Sequence, residues 1–194
     1  MNKGTYKKLE FAGVFICFIF WFLLFNFNSY ENGLLIKILF CAVNNSVWES
    51  FKLFLFGYIL WAAIPLCWAK PPLKRFMVAK AISLYFIGAS YCLIVPCIYI
   101  LGYDFNPITH CICIFLVSVI FHYSSYKAVC SNLNLEILFL PCLLMLVIFA
   151  IIYVGFTPYP LKYPAFFDFT TGCYGLPSGN IDKGALFLDR LYGI

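Results

Sequence analysis

Five long apolar stretches, separated by short polar segments, occupy most of the chain between Leu9 and Gly155. A helix needs about 20 apolar residues, at about 1.5 Å per residue, to cross the hydrocarbon core of a bilayer. All five stretches have this order of length, and they cover residues 10–27, Val47–Ala69, 76–101, 107–126 and 136–155. The hydropathy pattern therefore predicts five transmembrane helices.

A sixth apolar run, residues 33–43, is too short to cross a bilayer. Its sequence is GLLIKILFCAV, so Lys37 also interrupts it. Such a run is typical of a short helix that lies in the membrane interface or re-enters the bilayer. The sequence leaves both alternatives open for this segment, which leads directly into the second span.

Residues 156–194 differ from the rest of the chain because they are rich in proline, glycine and aromatic side chains. The stretch TPYPLKYP favours an extended backbone, since proline excludes the helix at its own position and disfavours it at the preceding one. We therefore predict a transmembrane bundle over residues 1–155 and a tail over residues 156–194. The aromatic content suggests that this tail packs as a cap, with a short amphipathic helix at residues 185–192.

Composition supports a lipid environment and excludes an ordinary soluble domain. The chain is 64% hydrophobic and 11% charged, with a mean hydropathy of +0.93, whereas soluble domains average about 25% charged residues. The predicted fold class is an all-α integral membrane protein with five spans, one interfacial or re-entrant helix and an external C-terminal cap. The bilayer is its first partner.

The short loops that contain basic residues alternate with short loops that contain none, and this asymmetry predicts the orientation. Lysines precede the first span, a basic loop joins the second and third spans, and one lysine follows the fourth: Lys3, Lys7, Lys8, Lys70, Lys74, Arg75 and Lys127. Residues 28–32 and 102–106, on the other side, contain no lysine or arginine. The positive-inside rule then places the N-terminus in the cytoplasm and the tail outside the cell membrane. The net charge of +5 follows from these loops and gives no reason to expect a nucleic-acid partner.

The most distinctive local sequence, NNSVWESFK, begins the second span. Ser46 and Glu49 form a capping-box pattern, in which the serine hydroxyl and the glutamate carboxylate each accept a backbone N–H near the helix start. Glu49 and Lys52 are three residues apart, so they can pair on one helix face. Trp48 is expected in the outer aromatic belt, with Trp68 in the inner one. Capping and anchoring leave Asn44, Asn45 and the deeper lysine unexplained, so fold support and ligand binding are both open.

The remaining ionisable residues predict a polar cluster on the outer side and no metal site. In the predicted topology Asp104, His110 and Asp168 lie on the same side as the start of the second span, and we expect them to surround an outward-facing cavity. His110 and His122 are 12 residues apart, about 18 Å along one helix, which is too far to share an ion. His122 is expected to be solvated or interfacial. The cysteines lack metal or redox spacings, so we predict no cofactor.

Two segments resemble an uncharacterised family of small prokaryotic multi-spanning membrane proteins. AVNNSVWESFKLFLFGYILWA is similar to that family's N-E-S-V-W-E-H-x-K-L segment, and FTPYPLKYPAFFDFTTGCYG is similar to its tail, F-T-x-x-P-P-x-x-P-x-F-x-D-x-x-T-G-x-Y-G. The resemblance implies a membrane fold but no activity. Asn45 stands where the family usually has glutamate, Ser50 where it usually has histidine, and a histidine at the end of the first span is missing. These departures argue against carrying a family metal site over to this chain.

Three functions are compatible with the sequence. The first is a transporter-like or binding protein that holds a small ligand or lipid headgroup in the outer cluster, whose candidate residues are Asn44, Asn45, Glu49, Lys52, Asp104 and His110. The second is a membrane-embedded enzyme acting on lipid or peptide, with Glu49 or His110 as the acid or base. The third is a structural subunit of another membrane protein, which would contact its partner through small residues such as Gly88, Ala89 and Ser90.

Overall fold

The computed structural model describes residues 2–26, 40–100, 107–156, 159–168 and 172–174. Its long helices are α1 (Lys3–Asn26), α2 (Val47–Ala69), α3 (Leu73–Ile100), α4 (Pro107–Cys130) and α5 (Phe139–Gly155), with a 3-10 turn at Leu135–Leu138 before α5. All five, counting that turn with α5, are long and apolar enough to cross a membrane. The prediction of a helical bundle with five candidate spans is confirmed. Most of the predicted short helix at residues 33–43 lies outside the described residues.

Three helices extend beyond the limits that the apolar stretches suggested. Helix α1 begins at Lys3 rather than at residue 10, α3 begins at Leu73, and α4 continues to Cys130. Lysine has a favourable helix propensity and can extend its ammonium towards the membrane surface, so basic residues at a span's end prolong the helix. Glu10 therefore lies two turns inside α1 rather than at its beginning.

The tight connection between α2 and α3 fixes how these two helices pack. Lys70 closes α2 in the left-handed conformation, with φ 47° and ψ 57°, and Pro71 and Pro72 follow it. A left-handed residue followed by proline is a common way to end a helix. Pro65 and Pro96 lie inside continuous helices, as membrane helices often allow.

The bundle is built around α1, α2, α3 and α4, with α5 at its edge. Helix α1 packs against α2 and α4, while α3 packs against α4 and α5. The core contains many aromatic side chains, among them Trp21, Phe51, Phe54 and Phe121, all buried. In α5 only Cys142 is buried, so most of its apolar surface is available to lipid.

The segment after α5 returns to the start of α2. It forms a 3-10 turn at Pro164–Phe166 and a strand, Phe167–Asp168, that pairs antiparallel with Cys173–Tyr174. The rings of Phe166 and Phe156 lie 5.2 and 6.0 Å from the Trp48 ring. Trp48 is therefore only 6% exposed, whereas Trp68 is 72% exposed. Trp48 is thus covered by the returning segment rather than exposed, and its position in an outer aromatic belt stays a prediction.

Candidate functional site

Ser46 caps α2, as the sequence predicts, but the reciprocal half of the capping box is not formed. The Ser46 hydroxyl accepts a hydrogen bond from the Glu49 amide at 3.3 Å. The Ser46 amide donates to Asn44 Oδ1 at 2.9 Å, and the Glu49 carboxylate instead accepts from the Val43 amide at 3.0 Å. Asn44 thus supplies the bond that the pattern assigned to Glu49, which leaves the carboxylate directed further into the bundle.

Glu49 forms a buried ion pair with Lys52. Lys52 Nζ lies 2.5 Å from Glu49 Oε2, and the side chains are 0% and 2% exposed. A charge inside a membrane protein is costly unless an opposite charge and hydrogen bonds compensate it. Here the carboxylate has both, a lysine one turn deeper and a backbone N–H. The pairing that the three-residue spacing predicts is present.

Asp168 connects the returning segment to the residues before α2. Its Oδ2 accepts a hydrogen bond from the Asn45 amide at 3.1 Å, and the residue is buried. The Asp168 carboxylate thus lies beside the start of α2, on the side where the sequence placed it. Asp104 lies outside the described residues, so its membership of this site stays a prediction.

His110 reaches the start of α2 through Ser50. Ser50 Oγ and His110 Nε2 share a hydrogen bond of 2.6 Å, Trp21 Nε1 donates to Ser50 Oγ at 3.0 Å, and Tyr91 Oη lies 3.4 Å from His110 Nε2. The Trp21 and His110 rings also stack, with centroids 5.7 Å apart. Sequence reasoning selected His110 but missed its neighbours Ser50, Trp21 and Tyr91. We call Asn44, Asn45, Glu49, Ser50, Lys52, His110 and Asp168 the Glu49 cluster.

A second polar site, which the sequence analysis missed, surrounds Glu10. Lys80 Nζ donates to both Glu10 oxygens, at 2.9 and 3.2 Å, and His122 Nδ1 lies 2.6 Å from Oε2. Ser125 Oγ donates to Oε1 at 3.4 Å, and the Tyr6 hydroxyl lies 3.5 Å from Ser125 Oγ. All of these residues are buried, and they come from α1, α3 and α4. We call Tyr6, Glu10, Lys80, His122 and Ser125 the Glu10 cluster.

His122 is buried, so its predicted solvated or interfacial position is wrong. Helix α4 continues to Cys130, eight residues later, and His122 therefore lies about two turns inside the helix. Its ring fits closely against α1: a β-carbon placed on Gly13 would lie 2.4 Å from His122 Cε1. His122 Nε2 is buried and has no hydrogen-bond partner among the described residues.

The Lys80 ammonium is held by aromatic faces as well as by Glu10. The ring centroids of Tyr58 and Phe76 lie 4.5 and 5.3 Å from Nζ, within the range of cation–π attraction. An ammonium group has three hydrogen-bond donors, and its two bonds to Glu10 leave the third without an acceptor among the described residues. The Tyr58 hydroxyl is likewise buried and lacks a partner there.

One signal in the sequence could have identified the Glu10 cluster. Glu10 lies seven residues after the start of α1, Lys80 seven after the start of α3, and His122 eight before the end of α4. With alternating helix directions, these offsets correspond to similar depths, about 10–12 Å from one end of the bundle. Single ionisable residues of complementary charge at one depth in three spans favour a functional site.

Two of three cavities in the described part of the molecule border the Glu10 cluster. A cavity of about 510 Å³ between α2, α3 and α5 is lined in part by Lys80 and Tyr58. A second, of about 270 Å³ between α1 and α4, is lined in part by Glu10 and His122. The third, of about 360 Å³, lies beside Trp48 and the returning segment. None of these three is lined by Glu49, Lys52 or His110.

The chemistry of these sites has to be inferred from their geometry. Among the described residues, no three histidine, cysteine or acidic side chains are grouped closely enough to hold a metal ion. The Glu49 cluster contains matched charges and hydrogen bonds, whereas the Glu10 cluster contains an unpartnered imidazole nitrogen and borders two cavities. Comparison of the chain with protein-family models, with curated proteins and with solved structures finds no match.

Proposed function

We propose that the protein is a transporter-like membrane protein that binds a small ligand and exchanges protons at the Glu10 cluster. One observation carries the proposal: Glu10, Lys80 and His122 come from three spans, contact one another while buried, and border cavities on two sides of the bundle. Acidic, basic and histidine side chains inside membrane spans are costly and typically mark substrate or proton pathways.

An aromatic layer separates the Glu10 cluster from the Glu49 cluster. The Phe121 ring lies 5.3 Å from Phe54 and 6.2 Å from Phe51. Tyr91, beside His110, stacks on Phe51 at 5.6 Å, while Tyr58, beside His122, lies 5.0 Å from Phe121. We call Phe51, Phe54 and Phe121 the aromatic septum. A dry constriction between two polar layers prevents a continuous water path, which a gated carrier requires.

The basic loops suggest which side each cluster faces. If the N-terminus is cytoplasmic, the Glu10 cluster lies in the cytoplasmic half and the Glu49 cluster in the outer half. The segment 159–168 then covers the outer end of α2 as a cap. In this arrangement the outer polar layer of the same pathway consists of Asn44, Asn45, Glu49, Lys52 and His110. We assign the ligand site to the Glu10 cluster instead.

A membrane-embedded enzyme is the second candidate, and the Glu10–His122 contact favours it. A histidine whose Nδ1 is bonded to a carboxylate and whose Nε2 is unpartnered has the arrangement of a general base. The base would then be His122 rather than Glu49 or His110. Mass spectrometry of lipids before and after incubation with the purified protein distinguishes the two functions, because a transporter leaves them unchanged.

The small residues of α3 give little support to the third function, that of a structural subunit of another membrane protein. A β-carbon on Gly88 would lie 2.6 Å from the Phe51 ring, so this glycine accommodates a side chain of the same chain. Gly88 is buried, which leaves Ala89 and Ser90 as the more accessible residues of the patch.

Proton flux into proteoliposomes tests the proposal. The protein is reconstituted with a trapped pH-sensitive dye, and a pH step is applied with the membrane potential clamped by potassium and valinomycin. We expect Phe121→Ala to raise the flux by opening the aromatic septum, and Glu10→Gln in the same background to abolish the increase. Phe86→Ala is the matched control, because Phe86 is 75% exposed. A Phe121→Ala flux equal to that of the control, with normal reconstitution, contradicts the proposal.

A further inference from the structure

We infer that the groove between α1 and α4 binds one anionic glycerophospholipid, with the lipid's phosphate at Lys7 and Lys127 and one acyl chain in the groove. This groove is the cavity of about 270 Å³ that Glu10 and His122 line in part. The inference goes beyond the proposed function and does not depend on it, because a lipid can occupy the groove whether or not the Glu10 cluster exchanges protons.

The groove has the length and lining that an acyl chain needs. Its α1 wall extends from Lys7 to Phe15, about 12 Å along the helix, and its other wall is α4. The lining consists almost wholly of aliphatic and aromatic side chains, so a polar molecule would find few hydrogen-bond partners along it. Phe11 and Tyr123, in the two walls, are 67% and 59% exposed. In a bilayer the groove is therefore open to lipid chains.

The ionisable residues deep in the groove do not oppose an anionic lipid. The Glu10 carboxylate contacts Lys80 and His122, so an opposite charge already compensates its own. Glu10 and His122 are also buried, and they lie beside the acyl chain rather than at the headgroup. The end of the groove close to the N-terminus of α1 decides which headgroup fits.

Two exposed lysines lie at that end. Lys7 lines the groove, and Lys127 Nζ lies 5.5 Å from the ring centroid of Tyr123, which lines it too. Neither lysine has an ion-pair partner within the described ranges. A lysine whose stem lies on apolar surface and whose ammonium stays in the interface is suited to bind a lipid phosphate.

The charge around the two lysines favours an anionic lipid over a zwitterionic one. Glu136 is the only exposed acidic residue that the structure describes, and its 3-10 turn packs against α3 and α5, whereas the groove lies between α1 and α4. Phosphatidylglycerol carries a net negative charge, which lysines near a membrane surface attract. Phosphatidylcholine also carries a choline cation, which the same lysines repel.

Native mass spectrometry of the full-length protein tests the inference. The protein in a non-ionic detergent is titrated with phosphatidylglycerol or with phosphatidylcholine of identical acyl chains. We expect one phosphatidylglycerol to bind at least about tenfold more tightly than phosphatidylcholine, since each of two lysines near a membrane surface strengthens the binding of an anionic lipid by about fivefold. Lys7→Gln combined with Lys127→Gln should abolish this preference.

Matched variants localise the effect to the groove. Lys8→Gln combined with Lys74→Gln should keep the preference, because it removes the same charge from two exposed lysines that do not line the groove. Val119→Trp fills the groove and should abolish retention of the lipid. Ile120→Trp, at the adjacent exposed position outside the groove, should not. Size-exclusion profiles identical to that of the wild type show that the variants are folded.

Equal binding of the two lipids means that only non-specific lipid occupies the groove and overturns the inference. An equal loss in both lysine double variants indicates a general effect of surface charge, and unchanged binding by Val119→Trp indicates that no chain enters the groove; either result also overturns it. Displacement of the bound lipid by excess glycerol phosphate would indicate a site for soluble phosphates and would overturn the lipid assignment. Glu10-dependent proton flux is a separate measurement, so failure of lipid binding leaves the proposed function in place.

Discussion

The Glu10 carboxylate contacts buried side chains from two other helices, α3 and α4. It accepts from Lys80, faces His122 Nδ1, and accepts from Ser125. Removing one member of a buried ion pair leaves the other charge without compensation, whereas replacing both by apolar side chains is often harmless to stability. Stability and function can therefore be separated at this residue.

We predict that Glu10→Gln lowers the free energy of unfolding in non-ionic detergent by about 3–5 kcal/mol. The double substitution Glu10→Leu with Lys80→Met should recover most of that loss while remaining inactive. Lys8→Met is the control, because Lys8 is exposed at the same end of α1. Equal stability of Glu10→Gln and the wild type would show that the ion pair is not buried in the folded protein.

At Ser46 we predict a smaller, local effect. Ser46→Ala removes the acceptor of the Glu49 amide and should cost about 1 kcal/mol of unfolding free energy. Ser46→Thr keeps the hydroxyl and should lie close to the wild type. If Ser46→Thr lowers the free energy of unfolding as much as Ser46→Ala does, the loss comes from steric crowding by the methyl group and not from the missing hydrogen bond.

Single-residue contacts were predictable from the sequence only where the partners are close along the chain. Ser46 with Glu49, and Glu49 with Lys52, are related by helix geometry, so their spacing is sufficient. His122 is 112 residues from Glu10, and their contact depends on how α1 packs against α4. No periodicity within either helix contains that information.

At the level of helices and segments, the apolar stretches located all five candidate spans but not their ends. Lys7 and Glu10 mark the edge of the first apolar stretch, yet the helix continues through both. The structure also differs from the sequence-based expectation in the segment after α5, which packs over Trp48 and buries it. Coverage by a segment more than 100 residues away in sequence is a tertiary effect that local composition does not encode.

The two tryptophans at the ends of α2 provide a matched test of this packing. We predict that Trp48→Ala lowers the free energy of unfolding by about 3–5 kcal/mol, as expected for a buried aromatic residue. Trp68→Ala should cost much less, since that ring is 72% exposed. Similar losses for both variants would mean that residues 159–168 do not cover Trp48.

At the level of the whole molecule, the two polar clusters lie in opposite halves of one bundle, with the aromatic septum between them. Glu10, Lys80 and His122 come from three different helices, so no continuous sequence motif identifies the Glu10 cluster. The direction of the proposed pathway depends on how the bundle is oriented in the membrane. The basic loops predict that orientation.

We predict that a reporter inserted between Lys70 and Arg75 is cytoplasmic and that one fused after Gly155 is external. The physical reason is the absence of lysine and arginine from residues 28–32 and 102–106, the loops that the positive-inside rule assigns to the outer side. Activity of both reporters on the same side would mean that one of α3, α4 and α5 does not cross the membrane. An external reporter at 70–75 with a cytoplasmic one after Gly155 would contradict the predicted orientation.

The central claim is that Glu10 carries protons in a pathway closed by the aromatic septum. The most direct measurement is the difference in proton flux between proteoliposomes containing Phe121→Ala and those containing Phe121→Ala with Glu10→Gln, at equal protein density. We predict at least tenfold more flux for the single variant than for the double variant and for Phe86→Ala. Equal flux through the single and double variants would contradict the claim, because any leak would then bypass Glu10.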